Sequence, residues 1–321
     1  MPLNANCMSV GLVISRSMAI TIERVAADEE GAMGEDTGDQ SVRITTPDGA
    51  QLAGRLALPP DGREPRLAVV LHGATGVPRD YYTRFAAWLA AARDAAVLTY
   101  DYRDFGASAA GPVTRSGATM AMWGVIDQAA ALDWLCDHYP ETEIWVIGHS
   151  LGGLCLPFHA NAGRVARLIA VASGPAHWTK HPLSYMPSVV AFWFLLGPLA
   201  TLLCGYLPGR LLGLGADLPK GVFWQWRRWC TSRGFYRVDW GQSMPHPTPD
   251  RMTGAVTLVG IADDEMMPPE RVRRLADFYP AATIRHRVIT PAEAGSKAIG
   301  HLRVFAERNA RAWPLLLDGI A

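Results

Sequence analysis

Apolar residues along the chain alternate between two patterns. One is the dense run of strand length: RLAVVLHG (66–73), AVLTYDYR (96–103), IWVIGH (144–149), RLIAVASG (167–174) and AVTLVGIAD (255–263). Runs this rich in apolar residues fit strands buried on both faces of a sheet. The other is helical spacing, as in YYTRFAAWLAAA (81–92), LGGLCLPFHANA (151–162) and residues 120–138, 269–278 and 302–318. Strand and helix alternating in this way predict an α/β fold, a parallel sheet covered by helices. Upstream, SVRITT and QLAGRLALP flank Pro47-Asp48-Gly49, which predicts an antiparallel hairpin. ATIRHRVIT (282–290) supplies the last strand.

The alternation stops near residue 176 and resumes near 246. The stretch between is rich in Trp, Leu, Pro and Gly, with helical pieces such as KGVFWQWRRWC (220–230). The expected organisation is one core, 41–175 and 246–321, with a helical cap, 176–245, inserted before a late strand. Within the cap, residues 189–207 are apolar for long enough to span a bilayer. Gly197-Pro198 sits in the middle of this stretch, and proline breaks or kinks a helix. Two short cap helices, or an interfacial face in peripheral contact with a membrane, are therefore expected. Residues 1–40 read as a poorly ordered tail, because 28–40 is acidic and glycine-rich. Residues 8–15 faintly resemble a secretory core, but no basic segment precedes them and Arg16 interrupts the run. Met18 is an alternative start.

Composition narrows the function classes. Thirty Lys+Arg balance thirty Asp+Glu, which offers no electrostatic footprint for nucleic acid. Five cysteines at wide spacings, with no CxxC, argue against a disulfide framework or a zinc site. Reduced thiols in a cytoplasmic protein are expected. No dinucleotide fingerprint is present, and no metal or organic cofactor is expected. Eleven tryptophans suggest apolar surface hidden beneath a lid as well as in the core.

The chemistry centres on Gly148-His149-Ser150-Leu151-Gly152. A G-x-S-x-G pentapeptide between a buried strand and a helix is a nucleophile elbow, in which the serine sits on a strained turn. A helix N-terminus there would favour negative charge, and the Leu151 amide would face a developing oxyanion. A serine hydroxyl needs a base to become a nucleophile. In this arrangement an acid and then a histidine follow at the ends of later strands. Asp263, Asp264 and Glu265 end one such strand. Asp264 is the preferred acid and Asp263 its alternate. Only His286 and His301 lie downstream. His286 falls inside a strand pattern, whereas His301 follows the last strand. The loop after VVLHG offers the Ala74 amide as a second oxyanion donor, ahead of Thr75. His72 reads as a brace for that loop.

Read together, LHGATG, YDYRDFGAS, GHSLGG, ADDEMMPP and IGHLRVF resemble the landmarks of the α/β-hydrolase superfamily over about residues 41–321. GATGVP, DYY and QWRRWC are also similar to a group of bacterial predicted α/β-hydrolases. The resemblance implies the α/β-hydrolase fold, mostly parallel with an N-terminal antiparallel hairpin, and a Ser150–Asp264–His301 triad. It implies no particular substrate. The expected reaction is cleavage of carboxylic esters by acyl transfer, with apolar or aromatic esters favoured by the Trp-rich cap. Thioesterase, lipase, amidase and C–C hydrolase chemistry, or a non-catalytic apolar-ligand binder, remain alternatives. Thr75, His149, Trp178 and Trp224 are the expected substrate-binding residues. One departure from the family is Asp104, which stands where a glycine is usual and would put a carboxylate near the site mouth.

Overall fold

The computed structural model describes residues 39–319. The expectations for the tail, for residues 8–15 and for Met18 lie outside the described residues.

Eight strands form the main sheet. They are β1 (Gln40–Thr45), β2 (Gln51–Ala57), β3 (Leu67–His72), β4 (Ala95–Tyr100), β5 (Glu143–His149), β6 (Val165–Val171), β9 (Ala255–Ile261) and β10 (Thr283–Ile289). Two short strands, β7 (Tyr206–Leu207) and β8 (Leu218–Pro219), pair separately. The main sheet runs β1-β2-β4-β3-β5-β6-β9-β10. β1 and β2 are antiparallel to each other, and β2 is antiparallel to β4. Every pairing from β4 to β10 is parallel. The fold is that of an α/β hydrolase, with antiparallel N-terminal strands on a mostly parallel sheet.

Central strands are buried along their length, as continuous apolar runs require. β10 lies at an edge and carries Arg285, His286 and Arg287, charges that discourage pairing with another sheet. Strand order reverses around β3: the chain goes from β3 to β4 on one side, then to β5 on the other. Such a switch point opens a crevice at the carboxyl ends of the strands. There His72 of β3 pairs with Gly148 of β5, so the loops after both strands start side by side.

The helices are α1 (Thr83–Arg93), α2 (Gln128–His138), α3 (Met186–Cys204), α4 (Lys220–Thr231) and α5 (Pro269–Arg273). The chain between β6 and β9 holds α3, α4 and the β7–β8 ribbon. α4 buries Phe223 and Trp229 and packs against α3 at Gly197. A Cβ at Gly197 would lie 2.7 Å from the Phe223 ring, so glycine sets how closely the two helices approach.

Four expectations are corrected. First, no α-helix follows β5; three short 3₁₀ turns occupy Ser150–Gly153, Leu156–Phe158 and Ala162–Arg164. Gly152, Gly153 and Pro157 interrupt the apolar pattern that suggested a helix. Second, α3 is one helix, not two. A π turn at Phe192–Leu196 widens it ahead of Pro198, where the proline ring and its missing N–H would otherwise disrupt a regular turn. Third, residues 302–318 are mostly 3₁₀ turns, with α geometry only at Trp313–Leu316. Fourth, Cys204 is disulfide-bonded, whereas Cys136, Cys155 and Cys230 are free. The expectation of reduced thiols fails at Cys204.

Candidate active site

Ser150 follows directly on β5 with φ of 54°, a left-handed backbone that L-residues adopt only under strain. Glycines make this turn possible. A Cβ on Gly152 would collide with the His72 backbone, and one on Gly148 would collide with Gly152 and Gly153. Ser173, just after β6, donates from Oγ to the Ser150 carbonyl (2.7 Å) and holds the elbow from beneath.

Three side chains from three loops converge. Ser150 Oγ lies 3.0 Å from His301 Nε2, and His301 Nδ1 lies 2.8 Å from Asp264 Oδ2. The Asp264 side chain is fully buried and that of His301 nearly so. Asp264 Oδ1 also accepts from the amides of Met266 (2.9 Å) and Met267 (2.8 Å). Those bonds orient the carboxylate toward the imidazole. Asp263 does something else: its two oxygens accept from the amides of Ile299 (2.9 Å) and Gly300 (3.0 Å). It anchors the loop that delivers His301.

Leu151 is buried in the first turn after Ser150, where amides lack intrahelical partners. That turn spans only four residues, too few for a useful helix dipole. Stabilisation of an oxyanion there depends on individual N–H groups. Ala74, expected as the second donor, has its amide already engaged with Tyr82 Oη (2.9 Å). The Thr75 amide has no hydrogen-bond partner among the described residues.

His149 is fully buried and does not line the pocket, contrary to expectation. Its Nε2 bonds the His301 carbonyl (3.0 Å), and its Nδ1 bonds Tyr82 Oη (2.9 Å). One assignment of hydrogens satisfies the whole chain. Ala74 N–H donates to Tyr82, Tyr82 donates to His149, and His149 donates to the His301 carbonyl. Burial, chiefly, pushes the His149 imidazole down to about 3, so it stays neutral. This chain ties the loop after β3 to the backbone of His301. Tyr82 was not singled out from sequence, although it lies in the quoted DYY stretch. His72 is likewise buried, bonded to Tyr100 Oη (2.7 Å), and held well below its ordinary value by burial. It braces β3 against β4 and not, as expected, the loop after β3.

A partly open cavity of ≈ 80 Å³ lies over Ser150 and His301. Its walls come from Met266, Met267, Val189, Phe192, Trp193 and Trp226, with Cys230 behind them. Trp193 and Trp226 meet edge to face at 4.9 Å. Trp178 and Trp224, the expected contacts, are elsewhere. Trp178 packs against Phe194 at 5.3 Å, and Trp224 packs against Phe223 at 5.1 Å. Trp178 lies in a short 3₁₀ turn ahead of α3, and Trp224 and Trp226 both lie in α4, so periodicity alone does not say which of them faces the cavity. Asp104 is also away from the cavity. It takes the left-handed φ of 57° that a glycine would favour, and its carboxylate accepts from Ser116 Oγ (2.6 Å). Among the described residues no group of His, Cys, Asp or Glu could hold a metal ion.

No curated protein matches this sequence. Several solved structures share its fold. An α/β serine hydrolase homologue from Coxiella burnetii has TM-score 0.52 and 17% identity, with 90% of this chain and 100% of that chain covered. The Pyrococcus furiosus esterase Pf2001 has TM-score 0.52 and 18% identity, covering 89% and 96%. A bacterial membrane phospholipase A has TM-score 0.54 and 14% identity, covering 97% and 94%. At such identities the likeness is one of fold. The sequence itself matches the alpha/beta hydrolase family over residues 68–311, most of the core with the insertion included. The protein is therefore a hydrolase belonging to the alpha/beta hydrolase family.

Proposed function

We propose that this hydrolase cleaves carboxylic esters through an acyl-enzyme on Ser150. The hydrogen-bonded series Ser150–His301–Asp264 is the observation that carries the reading. Ser150 Oγ attacks the acyl carbon while His301 Nε2 takes its proton. Asp264 holds the resulting imidazolium. The tetrahedral oxyanion is met by the amides of Leu151 and Thr75. Collapse breaks the ester bond, and His301 returns the proton to the leaving alcohol. Water, deprotonated by His301, then attacks the acyl-enzyme and releases the acid. No step calls on a metal or an organic cofactor. Thioesters and activated amides would follow the same course, and leaving-group preference separates them.

Labelling with a fluorophosphonate tests the reading. Wild-type protein is expected to label once per chain, and Ser150→Ala not at all. A folded wild type that resists the probe would remove the enzyme proposal in favour of a ligand binder.

The cavity volume favours short acyl groups. It is well below the ~300 Å³ at which ordinary small-molecule pockets begin. With p-nitrophenyl esters, turnover in plain buffer is expected to be highest for acetyl to butyryl chains.

A second observation concerns the source of the substrate. Exposed large apolar side chains concentrate around α3: Leu183 is 88% exposed, Leu202 72% and Leu195 59%. α3 is long and apolar enough to cross a membrane. Its inner face, however, closes the cavity through Val189, Phe192 and Trp193, so spanning would strip the roof from the site. Residues 176–245 hold seven Lys/Arg against two Asp, within a chain of zero net charge. We therefore propose peripheral contact of α3 with an anionic bilayer. Sedimentation with vesicles is the check: binding is expected and should be lost in Leu195→Ser/Leu202→Ser. A stable dimer that ignores vesicles would identify α3 as a contact between copies instead.

A further inference from the structure

A second cleft, of ≈ 650 Å³, lies beside the active-site cavity on the other side of residues 175–181. Ala176 and His181 of that segment face the active-site cavity, whereas His177 and Lys180 face the cleft. Five cations line it: Lys180, Arg233 and Arg237 from the insertion, and Arg271 and Arg274 from the α5 region. Asp277 is the one carboxylate in its wall. None of the five forms an ion pair with a carboxylate among the described residues. Arg237 instead lies over the rings of Trp240 (5.3 Å) and Phe278 (5.1 Å). Arg271 is half-buried and lines the cleft beside Arg274. The charges of Lys180 and Arg233 also act on His177, whose imidazole is held below its ordinary value, chiefly by burial.

Like charges gathered around one concavity favour a multivalent anion. Four of the five are arginines, whose planar fork matches phosphate oxygens two at a time. The wall is not wholly polar: Phe235, Tyr236 and Phe278 contribute buried rings. We propose that this cleft binds a phosphate-bearing ligand, with the phosphoryl group on Arg233, Arg237 and Arg271. The site straddles insertion and core, and it shares the 175–181 segment with the active-site cavity.

The same phosphoryl chemistry is offered by a soluble phosphate and by a lipid headgroup. Titration calorimetry on the full chain at fixed ionic strength, with pyrophosphate as the soluble probe, tests the cleft directly. Vesicles containing phosphatidic acid, added as competitor, form the second arm. Saturable pyrophosphate binding is expected, weakened roughly tenfold or more in Arg233→Gln/Arg237→Gln, whose side chains are exposed and whose variant is checked for an unchanged urea midpoint. Arg271→Gln should weaken it independently. Competition by phosphatidate vesicles that also depends on these arginines assigns a lipid headgroup, and its absence assigns a soluble phosphate. The proposal is overturned if wild type binds neither probe, or if both variants bind as tightly as wild type. Because binding is read directly, failure here would leave the reading of Ser150 untouched.

Discussion

Asp263 and Asp264 are adjacent in sequence and serve different atoms. Asp264 meets the imidazole, and Asp263 caps the two amides just before it. Asp264→Asn should lower kcat by on the order of 10⁴, because an amide favours the wrong imidazole tautomer. Asp263→Asn should act through the position of His301, with a smaller loss. Steady-state kinetics on one short ester compares them, and the reverse order would reassign the acid. Tyr82→Phe keeps the ring but breaks the chain from Ala74 to His149. A loss of about tenfold in kcat, with KM little changed, is expected from one buried hydrogen bond. Ser150 and Asp264 of the proposed triad were legible because each comes at the end of an apolar run, whereas His301 follows the charged β10 and was read from chain order. The roles of Ala74, His149, Trp178 and Trp224 were not, because they depend on which way a side chain points, and that is decided by neighbours distant in sequence.

Among the elements, α3 departs furthest from its local sequence signals. Gly197 and Pro198 read as a break, yet a π turn keeps the helix whole, and Gly197 seats it on Phe223. Gly197→Val would force α3 away from α4 and should cost about 1–3 kcal/mol in denaturant unfolding, as overpacking does. The expected helix after β5 failed for the opposite reason. Its apolar spacing was helical, but Gly152-Gly153 and Pro157 act locally, and packing against His72 admits no side chain at 152. Sheet strands were read more securely than helices, since an uninterrupted apolar run has few other places to go.

For the whole molecule, three buried histidines lower stability in acid, while Asp127, whose carboxyl is pushed up to about 7 chiefly by burial, acts in the opposite direction. Burial pushes His149 down to about 3 and His159 down to about 4, with His72 well below its ordinary value. Each stays neutral when folded but takes up a proton near pH 6.5 once unfolded. The stability they contribute is present above about pH 6.5 and is lost as pH falls toward those lower values. At pH 5 the loss is about 2 kcal/mol per histidine. Urea midpoints at pH 7.5 and pH 5 measure it, and His159→Gln should shrink the difference. A thiol titration in denaturant reads the covalent state: Cys136, Cys155 and Cys230 should react without reduction, and Cys204 only after it.

Because α3 is continuous, the roof over Ser150 moves as a rod or not at all. Its C-terminal end turns at Gly205 in a left-handed conformation (φ 77°), and its N-terminal end follows the bend at Pro182–Tyr185. These ends are the natural hinges, and the rod between them is a lever with the cavity beneath it. Short esters need no swing of that lever. Long ones do, so their turnover should slow as solvent viscosity rises, while that of acetyl esters should not.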